Sequence, residues 1–200
     1  MDTSLLHALN GFFFHHDGVE DPVVAYVNAA ELLFAGMLVA AFLFVGGHRR
    51  RDTRRAAAAA GLSAGVALAI AHVLATVVDR PRPFVADPGS VHLFVRHVAD
   101  PGFPSDHATA AFAIATALML RNRVWGAVVL VFAAILSVGR VAMGIHYPSD
   151  VLAGAALGSL AALALWWPPV RGLLHRMADA AGAVLDGVIG ALVDRLRPAA

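Results

Sequence analysis

Three short polar clusters interrupt an otherwise apolar chain: Asp79-Arg80-Pro81-Arg82-Pro83, Pro104-Ser105-Asp106-His107, and Gly139-Arg140 followed by His146 and Asp150. Taken singly, each reads equally well as an interfacial anchor whose charged heads reach out of the bilayer. Taken together they describe a phosphate site. Arg82 and Arg140 are permanently charged planar forks suited to phosphate oxygens, and Ser105 opens a helix, where unpaired N–H groups and the positive dipole end favour an anion. Asp106 suits the dipole of that first turn even if it does no chemistry. His146 and Asp150 are four apart with Pro148 between them, so Pro148 can open a helix and leave Asp150 in its first turn, close enough to orient His146. An imidazole whose Nδ1 proton is held by a carboxylate presents Nε2 as a nucleophile, which predicts a covalent phosphohistidine. His107 is the available general acid for the leaving oxygen, and afterwards the base that activates water.

A metal site is the competing chemistry, since His107, His146, Asp106 and Asp150 could form a ligand set. No close His-x-His or His-Glu-x-x-His spacing supports it, and two arginines beside the site would repel a divalent cation. The expectation is a phosphatase that needs neither metal nor cofactor. The chain has no cysteine, which removes disulfides, thiolate metal sites and thiol nucleophiles.

These clusters must be positioned by membrane helices. Of the 200 residues 59% are hydrophobic and 14% charged, against about 25% charged in an ordinary soluble domain. Apolar runs near the ~20 residues that cross a bilayer predict an all-α, integral membrane helical bundle with five spans, at about 23–45, 56–78, 104–120, 124–143 and 148–167. An interfacial helix over 4–14 precedes them, and an acidic linker covers Asp17 to Asp21. The first run lacks the basic start and small-residue cleavage site of a signal peptide and is expected to remain in the mature protein. Residues 1–170 form the expected membrane domain, and 171–200 an amphipathic tail on the cytoplasmic face.

All fifteen basic residues are arginine. The Arg49 to Arg55 cluster, the Arg121 to Arg123 turn and Arg171 to Arg176 fall on one side of this arrangement, which the positive-inside rule makes cytoplasmic. The three polar clusters then face the opposite, extracytoplasmic side of the cell membrane. Fifteen basic against fourteen acidic residues argues against a nucleic-acid partner. The expected partners are the bilayer and a membrane lipid phosphate or diphosphate.

On these residues the chain resembles the type 2 phosphatidic acid phosphatase superfamily, whose motifs are Lys, six residues, Arg-Pro; Pro-Ser-Gly-His; and Ser-Arg, five residues, His, three residues, Asp. Here they stand as Arg82-Pro83, as Pro104-Ser105-Asp106-His107, and as Arg140, His146 and Asp150. The resemblance implies His146 as nucleophile, Asp150 as its orienting carboxylate, His107 as general acid, and Arg82, Ser105 and Arg140 as phosphate ligands. The chain departs from the pattern at Ala75, where the motif lysine would fall, at Gly139 in place of the serine, and at Asp106 in place of the glycine. Arg80 is the candidate to supply the missing charge, and with Asp106 it joins the expected phosphate-binding set. The Pro-Ser-Asp-His variant, Arg80 to Phe84 and His146 to Asp150 are similar to the bacitracin-resistance type of undecaprenyl-diphosphatase. That implies an isoprenoid diphosphate as substrate; a glycerophospholipid phosphate, another prenyl phosphate, or non-catalytic lipid-phosphate carriage are the alternatives.

Glu31 and His72 are ionisable residues inside the first two spans. They pair with each other, line the pocket, or make a structural helix–helix bond. His92, Arg96 and His97 gate the outer loop or are simply solvated there, and His7, His15, His16, His48 and His175 read as interfacial.

Overall fold

The computed structural model describes residues 1–44 and 49–196, and every regular element among them is helical. In chain order these are α1 (Asp2–Phe14), α2 (Asp17–Phe44), α3 (Arg50–Val78), the single turn α4 (Pro83–Ala86), α5 (Asp106–Met119), α6 (Arg123–Ala142), α7 (Pro148–Leu165) and α8 (Pro168–Leu196). Gly46, Gly47 and His48, read as the first stop and an interfacial histidine, lie outside the described residues.

Four stretches are long and apolar enough to cross a membrane: Asp17–Phe44, Arg50–Ala86, Arg123–Ala142 and Pro148–Leu165. The remaining expected span is the 14-residue α5, which at 1.5 Å per residue reaches only about 21 Å. It need not match the lipid, because α3, α6 and α7 pack around it. Its face is correspondingly small and buried: Ala108, Thr109, Ala111, Ala113, Ile114, Ala115 and Ala117.

Close approach of α5 and α7 sets the site. A Cβ on Gly154 would meet the Ser105 carbonyl and Thr109, and one on Gly158 would overlap the Thr109 carbonyl and Ala113 N. This Gly-x-x-x-Gly stripe lets the two backbones touch, as small residues do between membrane helices. Overpacking of that kind typically costs about 1–3 kcal/mol. The helices run parallel: Ser105 N donates to the Asp150 carbonyl at one end, and Thr116 Oγ1 reaches Ser159 Oγ farther along. At the far end Arg121 and Arg171 both lie over the Trp166 ring. All three polar clusters therefore gather at the opposite end from the Arg121 turn.

Two expectations change. The acidic stretch from Asp17 is the opening of α2 rather than a linker, with Asp17 and Glu20 in a first turn whose dipole favours them. And α1 is pinned to the bundle instead of only resting on the interface. Asn10 Nδ2 donates to the carbonyls of His92 and Ala142, and its Oδ1 accepts from His92 N. The polar Asn10, which looked like an interruption, is a buried tie between α1, the outer loop and α6.

Candidate active site

His146 sits between α6 and α7, after Gly144 turns the chain with φ +74°, a conformation that favours glycine. Its side chain is 2% exposed. Nδ1 lies 2.9 Å from the Gly102 carbonyl, which can only accept, so Nδ1 carries the proton and Nε2 presents its lone pair. Two guanidinium groups meet that lone pair, Arg82 Nη1 at 3.1 Å and Arg140 Nη2 at 3.2 Å. Burial first, and then the charges of Arg140 and Arg82, push the His146 imidazole well below its ordinary 6.5 and keep it neutral, against the opposing effect of the Gly102 bond.

Both arginines are fixed from the outer loop. Arg82 Nε donates to the Asp100 carboxylate at 2.9 Å and to its carbonyl at 3.1 Å. Burial raises the Asp100 carboxyl, but the Arg82 hydrogen bond and charge outweigh it and hold the group below its usual range. Arg140 Nη2 lies 3.2 Å from His97 Nε2, and burial followed by the two arginine charges lowers His97 as well. Arg140 Nε is buried without a hydrogen-bond partner among the described residues, a donor free for an oxygen. Ser105 is fully buried as the N-cap of α5, its Oγ 3.5 Å from Ala108 N. The first N–H groups of that helix have no intrahelical acceptor and can face an anion.

Asp150 differs from the expectation in one respect. Its Oδ2 is 3.7 Å from His146 Nδ1, too far for a hydrogen bond, and instead accepts from Tyr147 N at 2.8 Å. The Gly102 carbonyl orients the imidazole, while Asp150, 0% exposed, supplies a fixed negative charge behind it. Arg80 is engaged differently from the other expected phosphate ligands. Its Nη1 donates to Asp150 Oδ1 at 2.7 Å and to Ser149 Oγ, its Nη2 to Asp2 at 2.7 Å, and it lies 4.0 Å from the Tyr147 ring centroid. With both terminal nitrogens bound to carboxylates, Arg80 holds Asp150 and α1 in place. Asp106 is likewise exposed, with no hydrogen bond from its side chain among the described residues. An ionised carboxylate offers a phosphate no donor, and a carboxylate in the first turn of α5 suits the helix dipole.

His107 is 18% exposed, and its Nε2 lies 3.1 Å from Glu31 Oε1. Of the readings open for Glu31 and His72, the mutual pair is not the one formed: Glu31 meets His107. Sequence reasoning missed Gly102, Asp100, His97 and Asp2 as parts of the site. The signal available was an acidic and histidine-bearing loop running between two of the polar clusters.

A helical membrane bundle that converges two arginines on a neutral histidine at one end defines a membrane lipid phosphatase. The chain belongs to the PAP2 superfamily, whose model matches residues 56–171. It is 35% identical over 153 residues to undecaprenyl-diphosphatase BcrC of Bacillus subtilis, covering 76% of each chain. It is 32% identical over 120 residues to putative undecaprenyl-diphosphatase YbjG of Escherichia coli, covering 58% of this chain and 60% of that one. It is also 37% identical over 107 residues to decaprenylphosphoryl-5-phosphoribose phosphatase of Mycobacterium tuberculosis, covering 53% and 57%. Among solved structures, Aquifex aeolicus LpxE shares the fold, with a TM-score of 0.57 at 23% identity over 82% of this chain and 93% of that one.

Proposed function

We propose that this phosphatase removes the terminal phosphate of an isoprenoid diphosphate through a phosphohistidine on His146, with no metal. The observation that supports the reading is the His146 tautomer, in which the Gly102 carbonyl accepts from Nδ1–H and turns the Nε2 lone pair toward the Arg82 and Arg140 guanidinium groups. Nε2 attacks the terminal phosphorus; a P–N bond forms as the bridging P–O bond breaks. Arg82, Arg140, Ser105 and the first turn of α5 stabilise the oxygens as charge gathers on them. His107 gives its proton to the leaving oxygen of the prenyl monophosphate, then takes one from the water that attacks the phosphohistidine and releases inorganic phosphate. Asp150 stabilises the positive charge that His146 acquires. The guanidinium groups supply the charge a cation would otherwise provide.

The substrate rests on the names of the relatives, two of which are undecaprenyl-diphosphatases, and on the Pro-Ser-Asp-His variant. A phosphate on another prenyl carrier is the second reading, favoured by the mycobacterial relative. The site lies at the end of the bundle away from the Arg49 to Arg55, Arg121 to Arg123 and Arg171 to Arg176 groups, which supports a multi-pass chain with an extracytoplasmic site and a cytoplasmic α8. In that setting the enzyme returns a lipid carrier to the monophosphate for cell-wall synthesis.

The test is phosphate release in EDTA by the detergent-solubilised chain and by His146→Ala, from a long-chain prenyl diphosphate and from phosphatidic acid. The expected result is prenyl diphosphate hydrolysis that survives EDTA and is lost in the variant. Preference for phosphatidic acid would overturn the substrate. Loss of activity in EDTA, restored by a divalent ion, would overturn the metal-free mechanism.

A further inference from the structure

We propose that Glu31 is the positioning residue of the acid–base histidine, His107. Glu31 lies near the middle of α2, a candidate span, and its side chain is 76% exposed from the protein. A carboxylate within a membrane helix is costly to insert, so its place there asks for a reason. The contact it makes is with the catalytic machinery, Oε1 3.1 Å from His107 Nε2.

Packing fixes this approach. The α2 residues Val27 and Ala30 are buried, and a Cβ on Gly139 of α6 would overlap Val27 and Val23. The same close passage brings α2 alongside Arg140, the next residue. A carboxylate only accepts, so Nε2 of His107 carries a proton toward Glu31 and Nδ1 is left to face the reaction. With His107 protonated, Nδ1–H is the donor to the leaving oxygen; with it neutral, the Nδ1 lone pair takes the proton of water. Each proton moves only between His107 and the reacting oxygen, and Glu31 exchanges none.

The charges of Arg140 and Arg82 also act on His107. Two guanidinium groups repel a third positive charge, and a general acid must carry one. Glu31, supplied by a helix outside the recognised motifs, offsets that repulsion at the atom opposite the reaction.

The inference rests on the phosphatase reading, and its test separates the two. The kcat/KM of the detergent-solubilised chain is measured on aryl phosphates from nitrophenyl to phenyl phosphate, because kcat/KM covers only the steps through P–O cleavage. Glu31→Gln is expected to lose at least about tenfold on phenyl phosphate, whose leaving oxygen needs a proton, and under about threefold on nitrophenyl phosphate. Glu31→Asp restores part of the difference. Glu31→Gln added to His107→Ala should lower activity no further, since the effect passes through the histidine. Equal losses across the series, or additive losses in the double variant, would overturn the assignment while leaving the phosphatase intact. Activity surviving in His146→Ala would instead overturn the phosphohistidine reading on which the inference rests.

Discussion

Arginines occupy both ends of this bundle, and their partners differ. At the end with the Arg49 to Arg55 group, Arg50, Arg54 and Arg55 are matched to carboxylates. Arg54 donates to both oxygens of Asp186 and to the Gly182 carbonyl, and Arg55 makes two bonds to Asp179. At the other end Arg82, its Nε held by Asp100, and Arg140 turn terminal donors toward each other across a neutral imidazole, and the buried Arg140 Nε has no partner among the described residues. Like charges brought together without a carboxylate between them are unfavourable unless an anion completes the set. The difference teaches how to read an arginine: one whose terminal nitrogens are spent on carboxylates is a staple, and one whose terminal nitrogens face another arginine is a ligand, as in Arg82, where only Nε is held by the Asp100 carboxylate. Arg80 makes the point, standing at the catalytic end yet bonded to Asp2 and Asp150 as a staple.

The largest expected effect breaks the ligand pair. Arg140→Ala should lower kcat/KM for the lipid substrate by about 10²–10³-fold, as loss of an oxyanion donor does, and Arg140→Lys should recover little because a point charge cannot replace the fork. Arg54→Ala should reduce the yield of folded protein while each folded molecule keeps its turnover. Steady-state kinetics normalised to folded protein separate the two; a similar catalytic loss in both would erase the comparison.

Arg80 gives a smaller effect of a distinct kind. If it positions Asp150, Arg80→Ala lowers kcat by about tenfold with little change in KM, since the phosphate ligands stay in place. A rise in KM with kcat preserved would return Arg80 to the phosphate-binding set. The pH dependence sharpens the same boundary. His146 is depressed below 6.5, so the neutral nucleophile persists above that value and is lost only as pH falls through its lowered value. The acid limb of kcat/KM is expected below 6.5. In Arg140→Gln, residual activity should show that limb at higher pH, because one of the charges that depresses His146 is gone.

Much of the site was legible because motif residues carry their own chemistry. A histidine, an aspartate four residues on and a proline between them imply a helix opening wherever the chain goes, and Arg82, Ser105, His107, Arg140 and His146 all lie at the end they were expected to share. What was hidden depends on packing across long separations. The acceptor that sets the His146 tautomer is the backbone carbonyl of Gly102, which no side-chain pattern announces. The commitment of Arg80 follows from Asp2, which meets Ser149 from the far end of the sequence. The short α5 was counted as a full span because hydropathy does not distinguish a helix surrounded by protein from one facing lipid. Glu31 was visibly out of place in an apolar run, but its partner was decided by the register of α2 on α6 through Gly139.

The smallest expected effect concerns the staple at the other end. Asp186 takes hydrogen bonds from Arg50 and Arg54, and those from Arg54 hold its carboxyl below the usual range. A Cβ on Gly182 would lie 2.9 Å from Arg54 Nη1, so α8 and α3 are in close contact at this point. Asp186→Asn keeps the shape but removes the charge, leaving Arg54, itself 6% exposed, paired only with carbonyls. The expected outcome is faster proteolysis of α8 and a modestly lower unfolding temperature in detergent, with kcat/KM unchanged within about twofold. A catalytic loss comparable to that of Arg140→Ala would mean that the two ends are coupled through α3, and the distinction between staple and ligand would then no longer separate structure from chemistry.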